Sequence, residues 1–240
     1  MSFKTSLLIG TLCLGFVLAR AQEFTGRIAL EVSWRPDRIV TLTMDGPRSM
    51  AHIQDPAQDR DILFVDLEQG SEYVLHSSQE PVRAIRFGHQ SGVRTGGGLT
   101  FTNVQLEPET KMIGAYSCQR VSFLVQGAAG EAWVAAELAS LEIEKHLSSR
   151  SGDLAQFLTV PGIEGIALEW QLPALANKPA QTATVTVEAL NSVQIALPED
   201  TKILDMEVVH QLLQDAQGDP VQEAAAQEQV KAMKAAFYQD

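Results

Sequence analysis

The sequence predicts a mainly β (α+β) protein built on a single large curved antiparallel sheet, or an open half-barrel, with a few helices and a C-terminal helical extension. Apolar and polar residues alternate along many short segments, which is the pattern of strands with one buried face. Clusters of Gly, Pro and Asp separate these segments at spacings typical of antiparallel sheets and barrels. Sustained helical periodicity is confined to the end of the chain.

The clearest strand signal lies at residues 24–34, where apolar residues occupy every second position up to Trp34. Pro36 and Asp37 then favour a turn, and the alternation resumes over residues 40–44. A period of two places the apolar residues of each segment on one face of the sheet. These two segments therefore predict a pair of half-buried antiparallel strands.

The same pattern predicts about ten strands in all. Residues 89–98 contain four glycines and are predicted to form a loop. A phosphate-binding loop is disfavoured, because no Gly-Lys-Ser/Thr follows the glycines. The remaining predicted strands are residues 62–65, 73–75, 82–87, 99–106, 116–125, 131–134, 166–172, 182–187 and 193–197.

Two regions break the strand pattern. Residues 135–158 are rich in Ala, Leu, Glu and Lys, with Asp153 as an expected helix N-cap. The second region is the C-terminal extension, residues 205–240, which follows the curved-sheet domain of residues 22–204. An apolar stripe ending at Phe237 predicts an amphipathic helix there, with Pro220 in its first turn. Ile203, Leu204, Val208, Leu212 and Leu213 precede it at positions compatible with another helical face.

Residues 1–21 predict a cleavable signal peptide. Lys4 precedes an apolar run that is too short to span a membrane, and Ala19-Arg20-Ala21 fits signal peptidase. A lipidated Cys13 is the alternative, but Leu12 stands where a small residue is required. No later segment is long and apolar enough to be a transmembrane segment. We therefore expect a periplasmic protein, with secretion as the other possibility.

The chain carries 18 Lys and Arg against 30 Asp and Glu, for a net charge of −12. This acidity argues against nucleic acid and anionic membrane surfaces as partners, because basic patches supply affinity for both. After cleavage Cys118 would be the only cysteine, so no internal disulfide is expected. Its place in an apolar strand predicts a buried thiol.

No arrangement of residues in the sequence indicates catalysis or metal binding. The sequence contains no Gly-x-Ser-x-Gly motif, and its acid pairs are more typical of solvated faces. We therefore predict no enzyme activity, no catalytic residues, no metal and no cofactor. The histidines also lack the spacing of metal ligands; they are His52, His76, His89, His146 and His210.

Residues 111–118, Lys-Met-Ile-Gly-Ala-Tyr-Ser-Cys, followed by Ala-Trp-Val at 132–134, resemble the exported family of domain of unknown function 4412. Its members carry an Ile-x-Gly-Tyr-x-Cys-like element and then a Trp in a following strand. The chain departs from this pattern at Ala115 and in its C-terminal extension. The resemblance implies a periplasmic lipoprotein-carrier-like (LolA/LolB-like) fold, in which a curved sheet wraps around helices and its apolar concave face would hold acyl chains.

Two hypotheses for function follow. The first is a non-enzymatic binding module that holds a hydrophobic ligand, such as a lipid or lipoprotein acyl chain, with Trp34, Trp133 and Trp170 on the apolar face as ligand-binding candidates. The second is a cell-envelope interaction or structural protein that engages a protein partner through its C-terminal helix. Within its own fold, that helix would instead dock on the sheet domain.

Overall fold

The computed structural model describes residues 24–57, 59–78, 80–90, 100–148, 150–151, 156–175 and 178–239. The predicted signal peptide, the glycines of the predicted loop and Asp153 lie outside the described residues. Within the described ranges, no helix combines the length and apolar character needed to cross a membrane.

Twelve strands in the described part of the chain form one open sheet, which confirms the predicted fold class. The strand order across the sheet is β12-β6-β5-β4-β3-β2-β1-β11-β10-β9-β8-β7. The strands are β1 (Thr25–Val32), β2 (Arg35–Asp45), β3 (Arg48–Gln54), β4 (Arg60–Asp66), β5 (Ser71–His76), β6 (Arg83–Gly88), β7 (Phe101–Ile113), β8 (Tyr116–Val125), β9 (Ala128–Ala135), β10 (Ile166–Leu172), β11 (Gln181–Ala189) and β12 (Lys202–Asp205).

The sheet is antiparallel except at one edge, where β12 pairs in parallel with β6. Strands far apart in the order share one core cluster: Leu42 of β2 and Leu63 of β4 belong to it together with Val121 of β8 and Leu168 of β10. Since these strands are not neighbours, the sheet must curve so that its apolar face closes on a common interior.

Two strands were not predicted. In β3 the buried positions are Ser49, Ala51 and Ile53, so the alternation has little hydrophobic contrast. In β12, Ile203 and Leu204 were predicted on a helical face but lie in a strand of four residues beside β6. A strand of four residues is too short to show the alternation of apolar and polar positions that predicts a strand.

The strand predicted at residues 193–197 is wrong. This segment pairs with no strand among the described residues and lies outside the sheet. Ile195 is buried instead against Phe64 of β4 and Tyr73 and Leu75 of β5. The alternation is real, but it arises because an extended segment lies across an apolar sheet face rather than beside another strand.

Residues 136–148 and 156–165, which we call the inner segment, occupy the concave face of the sheet. The segment begins with two 3₁₀-helices, Ala136–Leu141 and Ile143–His146. Its apolar side chains belong to the same core cluster as the strands. The chain therefore fills its own concave face with Leu138, Ile143, Leu147, Phe157, Leu158 and Val160.

The C-terminal extension contains α1 (Met206–Asp215) and α2 (Pro220–Tyr238). Asp205 and Asp219 cap the two helices through backbone N–H groups of their first turns, as N-cap residues do. The predicted stripe of α2 packs with Leu204 of β12 and Val209 of α1. Docking of this helix on the sheet domain is therefore confirmed.

Candidate functional site

Trp170 of β10 lies in the packed interior, with 1 % of its surface exposed. Its indole Nε1 donates a hydrogen bond to the backbone oxygen of Phe157, at 2.8 Å. Ring centroids of Phe101, Phe123 and Phe157 lie 5.6–5.7 Å from its own. These distances are typical of interacting aromatic pairs, so the ring is surrounded by protein.

The other two candidate tryptophans lie elsewhere. Trp34 is half-buried in the turn after β1, and its ring centroid is 5.5 Å from that of Phe157. Trp133 points to the opposite face from its buried neighbours in β9, with Lys111 Nζ 4.4 Å from its ring centroid. Phe157 thus links Trp34 and Trp170, whereas Trp133 is a partly buried residue that packs against the same core cluster. Ligand binding at the three residues stays a prediction.

A cleft of about 650 Å³ lies on the inner segment, between the two 3₁₀-helices and the turn at residues 162–165. Ligand sites typically measure about 300–1,000 Å³. Both apolar and charged side chains line the cleft, and two of its apolar residues, Leu138 and Ile143, also belong to the core. The side chains that line it include Leu138, Ala139, Ile143, Ile163, Glu142, Glu144, Lys145 and Glu164.

A smaller cavity of about 200 Å³ lies between the inner segment and the sheet. We call it the inner cavity. On the sheet side its walls come from the start of β1, the end of β2, the β2–β3 turn and the residue after β4. The lining residues are Phe24, Met44, Gly46, Pro47, Leu67, Ser140, Leu141, Glu142, Lys145 and His146.

Glu142 borders both the cleft and the inner cavity. It joins the two 3₁₀-helices in a left-handed backbone conformation, with φ at 46°, which is uncommon for a residue other than glycine. Its Oε2 accepts a hydrogen bond from Lys145 Nζ at 2.6 Å. Such conformations persist where the surroundings hold them, and they concentrate at functional sites. Glu142 therefore adopts, beside the cleft and the inner cavity, a backbone conformation that its surroundings must hold in place.

His146 is the imidazole that lines the inner cavity, and it is only 5 % exposed. Its Nδ1 is buried and has no hydrogen-bond partner among the described residues. The pKa of His146 is lowered from 6.5 to about 4, chiefly by burial; His89 and Lys145 nearby act in the same direction, and Glu142 opposes them. The imidazole is consequently neutral at pH 7.

We expect this histidine to make the protein acid-sensitive between pH 6.5 and about 4. The unfolded chain binds the proton first, so the stabilisation is complete above pH 6.5 and is lost as the pH falls towards 4. The loss attributable to His146 is up to about 3 kcal/mol. Urea unfolding across this range should show a shallower pH dependence for His146→Phe than for the wild type. Parallel curves would contradict the assignment.

A buried charged cluster anchors the inner segment to the sheet. Glu72 of β5 is fully buried and contacts Nδ1 of His89, at 3.2 Å, and the guanidinium of Arg150. Nε2 of His89 lies 2.7 Å from the backbone oxygen of Lys145. Because a carbonyl and a carboxylate both accept hydrogen bonds, these contacts are satisfied when both ring nitrogens carry hydrogen. Glu72, His89 and Arg150 give no motif in the sequence, and only the fold brings them together.

The residues of the 111–118 and 132–134 motifs are neighbours on the sheet. Lys111 of β7 pairs in register with Cys118 of β8, and its Nζ binds Glu169 of β10 while covering Trp133. The thiol of Cys118 is fully buried, as predicted. Burial raises the pKa of Cys118, and the charge of Lys111 opposes that shift. A buried thiol of this kind is unreactive.

Among the described residues, no group of three or more His, Cys, Asp and Glu side chains is arranged to hold a metal ion. The site geometry therefore consists of the cleft, the inner cavity and the Glu72 cluster beneath them. Both spaces are lined by a mixture of apolar and polar side chains, and Glu142 and Lys145 are among the charged residues.

No protein-family model matches the chain, and no curated protein matches it. Solved structures similar to it include two crystal forms of PNGF-II, in space groups P21 and C2. Both are 10 % identical in sequence, with TM-scores of 0.41 and 0.40, and they cover 78 % and 77 % of this chain. The chain spans only 32 % of the PNGF-II chain. Likeness at this level assigns no function.

Proposed function

We propose that the chain is an exported, non-enzymatic binding protein that holds a hydrophobic ligand, such as a lipid or an acyl chain, at the inner segment. The observation that carries this proposal is the cleft of about 650 Å³ on the inner segment. Two of its lining residues, Leu138 and Ile143, continue directly into the core. An apolar ligand there would bury the part of its surface that packs against these residues.

The way the concave face is filled supports the proposal. The inner segment begins with short 3₁₀-helices, and such helices have poorer hydrogen-bond geometry than α-helices. It therefore offers a less regular surface than the sheet and leaves spaces on both sides of Glu142. The expected signal peptide would place this binding protein in the periplasm or outside the cell.

The resemblance to the exported family of domain of unknown function 4412 adds support. Its motif residues fall on a single structural unit, in which Lys111 lies beside Cys118 and over Trp133. We propose membership of that family, with its carrier-like arrangement of a curved sheet around an inner segment.

The alternative function is protein interaction through the C-terminal helix. Val221 and Tyr238 of α2 are exposed, and a partner would contact these residues. The apolar stripe of α2 is already packed against β12 and α1. Less apolar surface of α2 is therefore left to contact a partner. A copurifying polypeptide with no copurifying lipid would favour it.

Filling the cleft should abolish ligand binding. Ala139 lines the cleft and is exposed, so Ala139→Trp places a large ring in the cleft without disturbing the core. We expect at least about a tenfold loss of affinity for a long-chain fatty acid, since the ring occupies space that a typical ligand needs. Titration followed by tryptophan fluorescence would measure the affinity in the wild type.

Ala225→Trp, on the exposed side of α2, is the matched control and should bind as the wild type does. Because each substitution adds an indole, affinities of the two variants are best compared by calorimetry. Mass spectrometry of solvent extracts of the purified protein would identify bound lipid. No copurifying lipid, together with no fatty-acid binding by the wild type, would refute the proposal.

A further inference from the structure

Another cleft, of about 570 Å³, lies on strands β7 to β10, and none of the residues that line it belongs to the inner segment. We call it the strand cleft. We propose that it binds a neutral saccharide through the side-chain amides of Asn103, Gln105 and Gln171. The strand cleft is separate from the site of the proposed function, and its ligand is polar rather than apolar.

The register of the sheet brings polar side chains together along this cleft. Gln105 of β7 pairs with Ser122 of β8, which pairs with Glu131 of β9. Glu131 pairs in turn with Gln171 of β10, and all four residues line the cleft. Residues directly opposite each other in neighbouring strands have their side chains on the same face of the sheet. The four therefore form one polar row, which spans three strand spacings, or about 14 Å.

Three amide groups of the strand cleft are available to a ligand. Asn103, Gln105 and Gln171 are exposed, and their side-chain amides have no hydrogen-bond partner among the described residues. A carboxamide offers both a donor and an acceptor, and a hydroxyl group also does both. Adjacent hydroxyls of a sugar ring can therefore bond to the nitrogen and the oxygen of the same amide.

The charged groups of the strand cleft already have partners. Of the described residues that line it, only Arg120 and Glu131 are charged. Arg120 Nε lies 3.5 Å from Glu131 Oε2, and Arg120 Nη1 lies 3.7 Å from Glu109 Oε1. An ionic ligand would have to compete with these pairs for a counter-charge. A neutral hydroxyl can accept from the guanidinium or donate to the carboxylate without separating them.

The apolar part of the lining also suits a saccharide. Leu124 and Pro173 are partly buried, and Ala129 is exposed at the same cleft. A sugar ring carries C–H groups on its faces and hydroxyls around its edge. Such a ring can therefore cover these apolar side chains while its hydroxyls reach the amides.

The position of the row favours a saccharide over an extended peptide. Peptides that bind to sheets add a strand to an edge and bond mainly through their main chain. Strands β8, β9 and β10 are paired on both sides, so along them the backbone groups are already used. Side chains on the sheet face are what remains for a ligand across most of the row.

NMR of the side-chain amides, with cellotriose, maltotriose and triacetylchitotriose as probes, tests this assignment. We expect at least one of these neutral trisaccharides to shift the NH₂ resonances of Asn103, Gln105 and Gln171. The NH₂ resonances of Gln227, which is exposed on α2, should not move.

The same titrations on variants measure the contribution of each amide. Gln105→Ala and Gln171→Ala should each weaken binding of that trisaccharide about three- to tenfold, because each removes one hydrogen-bonding group. Both residues are exposed, so the variants should fold as the wild type does. Gln227→Ala is the matched control and should bind with unchanged affinity.

Three results would overturn the saccharide assignment. They are no shift with any of the three trisaccharides, equal shifts at Gln227, and unchanged affinity in both Gln105→Ala and Gln171→Ala. Tighter binding of acetylated triglycine amide, a short neutral peptide, would also overturn it in favour of a peptide ligand. The proposed function is judged separately, by copurifying lipid and the Ala139→Trp variant.

Discussion

Glu72→Gln should destabilise the protein by about 1.5–3 kcal/mol, the usual contribution of hydrogen bonds to a charged group, because Arg150 is partly exposed and solvent screens its charge. Glu72 is fully buried, and it contacts both His89 and Arg150. Glutamine keeps the shape of the side chain but leaves the Arg150 guanidinium without its counter-charge. The free energy of unfolding, measured in urea at pH 7, would show the loss as a lower midpoint.

The matched control for this variant is Glu199→Gln. Glu199 is exposed, and surface substitutions generally change stability by less than about 0.5 kcal/mol. A loss for Glu72→Gln no greater than for this control would show that the cluster does not anchor the inner segment. A large loss accompanied by weaker lipid binding would connect the anchor to the ligand site.

Trp170→Ala should cost about 3–5 kcal/mol, as large-to-small substitutions of buried aromatic residues do. The change removes contacts with three phenylalanine rings and leaves the backbone oxygen of Phe157 without its hydrogen bond. Thermal or urea unfolding would measure the effect.

Trp133→Ala is the comparison, because Trp133 is only partly buried and lies on the opposite sheet face. It should cost less than Trp170→Ala. Equal losses would contradict the packed environment that the structure gives Trp170. A ligand cavity at Trp170 would instead give a small loss of stability and a shift in tryptophan fluorescence on addition of fatty acid.

Alternation in the sequence predicted most of the sheet because it reports directly which residues are buried. It works well for β1, where Ile28, Leu30 and Val32 are all in the core. It cannot distinguish a strand from an extended segment lying on a sheet face, and residues 193–197 are such a segment. Alternation also gives no signal where the buried residues are small or polar, as at Ser49 and Ala51 of β3.

The candidate site was less accessible to sequence reasoning. Isolated charged residues are normally solvated, and nothing near Glu72 or Arg150 marks them as partners across the fold. His146 was among the five histidines considered, but only the packing around it reveals a buried nitrogen without a hydrogen bond. Trp170 was identified from its strand position, since a large apolar residue on the buried phase of a strand enters the core.

The parallel pairing of β12 with β6 covers one edge of the sheet with a strand that comes late in the chain. The outer edge of β6 carries N–H and C=O groups that β12 satisfies. In chain order these residues follow the other eleven described strands of the sheet. Without them, the unpaired edge can template association with another chain. Pairing with β12 therefore covers an edge that could otherwise associate with another chain, and the packing of α2 on Leu204 holds β12 in place.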